Sequence, residues 1–391
     1  MKHITKTVWM LSLVSLFTDT ASEMLYPVMP VYLKSIGFSI LLIGILEGIA
    51  EATAGLSKGY FGKLSDISGK RTPFVQIGYG LSAISKPMMV LFIYPLWVFL
   101  ARTIDRLGKG IRTGARDAIL SGEATRETKG KIFGFHRSMD TLGAVLGPSF
   151  ALAYLYFYPE DYKTLFFIAL IPGMLSIAFS LILKDKNIEK RDNISKISFF
   201  SFIKYWKESP GTYRSLMTGL LVFALINSSD VFLLLKAKSS GLSDTQVIGV
   251  YIFYNLIFAL SSFPLGIIAD RVGLKKMYIS GIAIFALVYV GMGLFSGLVP
   301  VLIMFLMYGI YAAATEGISK AWISNIVSGN ETATAIGTYT AFQSICTMIA
   351  SSAAGFLWYS YGSAYTFIFS GVVAILLVIY FLIFVREKVG G

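Results

Sequence analysis

GKLSDISGKR, Gly62 to Arg71, closes one long apolar segment, and GIIADRVGLKK, Gly266 to Lys276, closes another half a chain later. Each copy sets a Gly, an Asp, a second Gly and then a basic pair. A short polar loop repeated at that distance predicts two homologous halves. The echo extends further. TEGISKAWISNIVSG around Gly317 follows GKGIRTGARDAILSG around Gly110, and Gly241-Leu242-Ser243 falls where Gly37-Phe38-Ser39 stands.

The 391 residues are 55% hydrophobic and only 14% charged, against roughly a quarter charged in a soluble domain. Apolar stretches long enough to cross a ~30 Å hydrocarbon core recur throughout. The fold class expected is all-α membrane protein, with twelve helices near 8–34, 40–64, 72–93, 96–118, 131–157, 164–184, 213–237, 244–269, 274–297, 299–324, 333–358 and 364–385. They divide into a six-helix bundle at 1–184, a linker at 185–212 and a second bundle at 213–391. Two halves that repeat in the same order are related by an axis along the membrane normal.

The net charge of +12 falls in alternate loops (Lys63, Lys70, Arg71; Arg116, Arg126, Lys129, Lys131; Arg271, Lys275, Lys276). That is a topological bias, placing these loops and both termini in the cytoplasm, and it argues against nucleic acid as a partner. Cys346 is alone, so no internal disulfide forms, and two histidines leave little for a metal site. No cofactor, ATP site or catalytic triad is expected. The basic start, Met1 to Trp9, leads into a run carrying Asp19 and Glu23 with no cleavage site, which predicts an uncleaved first helix. The linker is basic (Lys186, Lys190, Arg191, Lys196, Lys204, Lys207), and Phe199, Phe202, Ile203 and Trp206 recur at helical spacing. Two readings stay open there: a short helix on the inner leaflet, or a flexible connection with aromatics.

With these features the chain resembles the major facilitator superfamily of secondary transporters. Gly62, Leu64, Asp66, Gly69, Lys70 and Arg71 match that family's loop signature, with Ile67 in place of its Arg. The second copy keeps Gly266, Asp270, Arg271 and Gly273. The resemblance implies that these loops latch the cytoplasmic face. Physically, Gly62 allows close helix approach, and Asp66 suits the N-terminus of a neighbouring helix. Arg106 with Gly110 resembles the fourth-helix motif. Gly143, Gly147 and Pro148 resemble the fifth-helix motif associated with proton-driven antiporters, which tilts the expectation toward export.

Ionisable groups inside membrane helices face a cavity or a partner. Here they sit at Asp19 and Glu23 on helix 1, Glu47 and Glu51 on helix 2, Arg102, Asp105 and Arg106 on helix 4, and His136, Arg137 and Asp140 on helix 5. Helix 3 has only Lys86, and helices 6, 9 and 12 have none in their interiors. The resemblance assigns helices 1, 4, 7 and 10 to the pathway and helices 3, 6, 9 and 12 to the scaffold, and this census divides the same way. Asp19, Glu23, Glu47, Glu51 and Asp140 are therefore the proton-site candidates, with Arg102, Asp105, Arg106 and His136 beside them. The second half is more neutral. Asn227, Asp230, Tyr311 and Glu316, with Tyr251, Tyr254 and Tyr308, supply a hydrogen-bonding aromatic wall for an organic ligand.

The function expected is proton-coupled export of a small organic molecule across the cytoplasmic membrane by a monomer, not an enzyme activity. A proton-coupled importer of a polar or anionic nutrient is the competing reading, favoured by Arg102, Arg106 and Lys109. A membrane sensor or membrane-embedded enzyme is the reading from a different class.

Overall fold

The computed structural model describes residues 4–26, 28–185 and 200–385. Among them all regular structure is helical. The helices are α1 (Lys6–Leu25), α2 (Met29–Ser35), α3 (Ile40–Ser68), α4 (Thr72–Leu91), α5 (Pro95–Gly122), α6 (Lys129–Phe157), α7 (Tyr162–Ile168), α8 (Leu170–Leu181), α9 (Tyr205–Glu208), α10 (Gly211–Ala224), α11 (Val231–Ser239), α12 (Asp244–Val272), α13 (Leu274–Leu294), α14 (Leu298–Ile326), α15 (Thr332–Tyr361) and α16 (Ser363–Phe384).

Each of the twelve expected segments is present, and three are interrupted. The first is divided into α1 and α2 where the sequence has Pro27, a residue with no N–H to continue the ladder. The sixth is divided between α7 and α8 at Ala169, three residues before Pro172. The seventh is broken over 225–230, where Asn227, Ser228, Ser229 and Asp230 offer the backbone local alternatives to the helix. There the Val231 amide donates to Ser229 Oγ, and the Ser229 amide donates to Ser351 Oγ.

Among the described residues, six helical segments are long and apolar enough to cross a membrane: Tyr162–Leu181, Gln246–Val272, Leu274–Leu294, Leu298–Ile326, Gly329–Tyr361 and Ser363–Phe384. Five of these lie in the second half of the sequence. The first-half helices carry the ionisable side chains, so their composition is less apolar although their lengths suffice.

Two compact units are present. The first comprises Met1–Glu123, Met139–Lys207 and Ser328–Ala341; the second comprises Ala124–Ser138, Glu208–Val327 and Phe342–Gly391. In the first, Met24, Tyr32, Leu33, Val98 and Phe166 form an apolar core, with the Tyr32 and Phe166 rings 5.1 Å apart. In the second, Phe223, Phe285, Tyr289, Phe367, Tyr278 and Phe381 pack as a chain of ring contacts.

Small residues set the closest approaches. A methyl group on Gly143 would meet the Leu16 carbonyl at 2.5 Å, and one on Gly147 would meet the Thr20 carbonyl at 2.6 Å. The two glycines thus let α6 lie against α1, backbone to backbone. Gly147→Leu is expected to force these helices apart and cost about 1–3 kcal/mol by overpacking, checked by thermal unfolding in detergent.

Of the linker, residues 186–199 lie outside the described residues, so Phe199 and four of its six basic residues go undescribed. Phe202 is buried, and a methyl group on Gly59 of α3 would run into its ring at 2.6 Å. Tyr205 is also buried, and its hydroxyl donates to Glu331 at 3.3 Å, whereas Phe200 and Ile203 are exposed.

Candidate functional site

In the first unit, the face of α6 that carries Gly143 and Gly147 also carries Asp140, one turn earlier. The facing stripe of α1 carries Ser15, Asp19 and Glu23 at four-residue spacing. The glycines bring the two stripes together, and the Asp19 and Asp140 carboxyl groups act on each other electrostatically. Ser15 Oγ also donates to Asp140, and Arg116 approaches both, at 3.3 Å from Ser15 Oγ and 3.9 Å from Asp140. Arg116 is anchored in turn on Asp117, at 3.0 Å.

A second cluster surrounds Asp105. Its carboxylate receives Lys86 at 3.5 Å, Arg102 at 3.4 Å and Arg106 at 3.2 Å. Asp105, Lys86 and Arg102 are buried. The Lys86 ammonium also donates to the Ser82 carbonyl at 2.8 Å. Arg112 donates to Ser82 Oγ at 2.6 Å and lies 4.5 Å above the Tyr79 ring. Close packing of α4 on α5 makes this possible, since a methyl group on Gly78 would meet the Gly108 carbonyl at 2.6 Å. Glu23 and Glu51 both feel the field of Arg102, Arg106 and Lys109. Lys109 and Glu51 are exposed. Glu47 belongs to α3, and its side chain lies outside the described residues.

Sequence reasoning singled out Asp19, Glu23, Glu51, Arg102, Asp105, Arg106 and Asp140, and these share the first unit. It passed over Arg112 and Arg116 as site residues, counted Lys86 only in the helix census and used Lys109 only for the importer reading. The signal was there. Positions 102, 106, 109, 112 and 116 recur every three or four residues, one cationic stripe along α5.

In the second unit, Asp230 sits where the seventh segment is broken and accepts from Tyr308 at 2.7 Å and Tyr254 at 3.2 Å. Asn227 Nδ2 donates to Tyr311 Oη at 2.9 Å. Arg137 is ion-paired to Glu316 and lies 5.1 Å from the Phe258 ring centre. His136 is buried on α6.

The loop motifs are carboxylates pinned to helix starts. Asp66 accepts from the Thr334 amide at 2.7 Å, the Thr334 hydroxyl at 2.8 Å and Arg71 at 2.9 Å. Arg71 is buried and also donates to the carbonyls of Ala118 and Gly329. In the other unit Asp270 accepts from the amides of Gly130 and Lys131, at 2.6 and 2.7 Å. Both carboxylates therefore meet the positive end of a helix dipole. Gly62 and Gly266 make the seams tight, facing Ala333 and Gly130 respectively. Gly69 and Gly273 take the left-handed backbone, φ +65° and +99°, that ends their helices. Lys70 and Arg271 are exposed.

The fold agrees with three comparisons. The chain is 31% identical over 381 residues to an uncharacterized MFS-type transporter of Methanocaldococcus jannaschii, covering 96% of this chain and 94% of that one. The Escherichia coli fucose:proton symporter superposes with a TM-score of 0.79 at 12% identity, covering 99% and 100% of the two chains. The human organic anion transporter MFSD10 superposes with a TM-score of 0.75 at 16% identity, covering 96% and 98%. Likeness at such low identity speaks for the fold, two halves of six helices. The sequence profile of the Major Facilitator Superfamily matches residues 11–253 and 216–390. The chain belongs to the Major Facilitator Superfamily of multi-pass membrane transporters.

Proposed function

We propose that this transporter couples proton movement to export of a small organic molecule across the cytoplasmic membrane, by alternating access and with both termini in the cytoplasm. One observation carries the reading: the Asp19–Asp140 carboxyl pair, flanked by Ser15 and Arg116. In this reading the two carboxyl groups share one proton. Arg116 or a substrate group that approaches either carboxyl competes with that proton, which ties proton release to a change at the site. Glu23 and Glu51, sharing the field of Arg106 and Lys109, extend the acidic stripe and provide the next proton stop. The Asp66 and Asp270 seams serve as the cytoplasmic gate, since each is held by a few hydrogen bonds to one helix start.

The competing reading, an importer of an anionic nutrient, draws on the exposed Lys109 beside Arg106. Proteoliposomes holding a pH-sensitive dye separate the two. Under an outward-directed substrate gradient, antiport drives protons inward and acidifies the lumen, whereas symport carries protons out with the substrate and makes the lumen alkaline. A lumen whose pH never responds to any of a broad substrate panel would sink proton coupling altogether.

A further inference from the structure

The second unit contains a polar cluster for which proton coupling has no use. Asp230 presents a carboxylate whose two oxygens each accept one phenol, from Tyr308 and Tyr254. Each oxygen keeps a further lone pair. Arg137 acts on it electrostatically, and that guanidinium is ion-paired to Glu316. Three residues before Asp230, Asn227 spends its amide N–H on Tyr311, and its buried carbonyl oxygen has no hydrogen-bond partner. Three tyrosine rings stand in a row beside these two acceptors. The centres of Tyr254 and Tyr308, and of Tyr308 and Tyr311, are 5.1 Å apart in each case. The break at 225–230 puts both acceptors on non-helical backbone, where Asp230 stays partly accessible while the rings are buried.

A surplus of acceptors, one of them anionic, beside electron-rich rings selects a cation that also carries N–H donors. We infer that Asp230, Asn227 and the Tyr254–Tyr308–Tyr311 row form the recognition site for the protonated amine of an organic substrate. The ammonium ion-pairs with Asp230, one N–H satisfies Asn227 Oδ1, and the rings receive the positive charge and the adjoining carbon skeleton. A quaternary ammonium fits less well, because it has no N–H for Asn227. This inference rests on the transport reading for its biological sense, and it names the substrate class of that transporter.

Calorimetry on the full chain in detergent, with no gradient present, tests it separately from proton coupling. The probes are 2-phenylethylammonium, its carboxylate counterpart 3-phenylpropionate, and benzyltrimethylammonium. The ammonium is expected to bind at least about tenfold more tightly than either of the others. Asp230→Asn is expected to weaken it by about tenfold or more, and Asn227→Ala by about threefold or more. Tyr254→Phe keeps the ring and is expected to bind within about threefold of the parent, whereas Tyr254→Leu loses about fivefold. Thermal unfolding of each variant accompanies the titration, and the Phe–Leu contrast stands even where Asp230→Asn does not fold. Preference for the anion, an unchanged affinity in folded Asp230→Asn, or no ammonium binding to the parent overturns the inference. A flat calorimetric trace beside intact proton flux would reject the amine site alone, and the reverse outcome would reject the coupling alone.

Discussion

Asp105→Ala is expected to cost about 3–5 kcal/mol of folding stability, a large share of the ~5–15 kcal/mol that holds a typical native protein together. The reason is the count of charges left behind. Lys86, Arg102 and Arg106 all converge on this one carboxylate, and Lys86 and Arg102 are buried with it. Taking the anion away strands cations that have already lost their water, and such uncompensated charge is what makes a broken buried pair expensive. Fluorescence-monitored thermal unfolding in detergent checks the effect, along with the yield of monodisperse protein. Lys86→Met in the same chain removes one stranded charge and is expected to recover part of the loss. A variant as stable as the parent would mean that water reaches this cluster and that the ion pairs contribute little.

The second large effect concerns coupling rather than folding. Asp19→Asn and Asp140→Asn each keep the shape of the side chain and its capacity to hydrogen-bond, so the α1–α6 contact should survive. What each removes is the titrating partner. Proton-driven flux in proteoliposomes is expected to fall by about tenfold or more for either variant, and the double variant should be no worse than the more damaged single one, since the two groups act as one unit. Substrate exchange without a gradient is expected to persist. Undiminished proton flux in both single variants would remove the carboxyl pair from the mechanism.

Much of the fold could be read from apolar runs and their punctuation. The expected starts at 244, 274 and 299 fall within one residue of those of α12, α13 and α14. The interruptions were harder to see. Leu225 to Asp230 lies inside an apolar run whose average hides a cluster of four short polar residues, so the helix looked continuous. Among the site residues, the four-residue spacing of Asp19 and Glu23 fixed their common face, because that follows from one helix alone. Their closeness to Asp140 depends on two helices approaching through Gly143 and Gly147, a contact visible only when the glycines and the acid are placed on one face. Lys86 was counted but given no role, because a single cation in an apolar helix has no pattern around it; its meaning comes from α5 alongside.

The burial of the basic side chains separates two roles that composition merges. Among the described residues, Arg71, Lys86, Arg102, Arg112, Arg116, Lys129 and Lys236 are buried, against Asp66, Asp105, Asp117 and Asp140 among the acids. During insertion, before tertiary contacts exist, Arg71, Arg116 and Lys129 still count toward orientation in the bilayer. Once the chain has folded, they are turned toward carboxylates and carbonyls, and anionic headgroups meet a smaller positive surface than the overall excess implies. The same side chains thus add positive charge to the nascent chain first and brace the finished one afterwards.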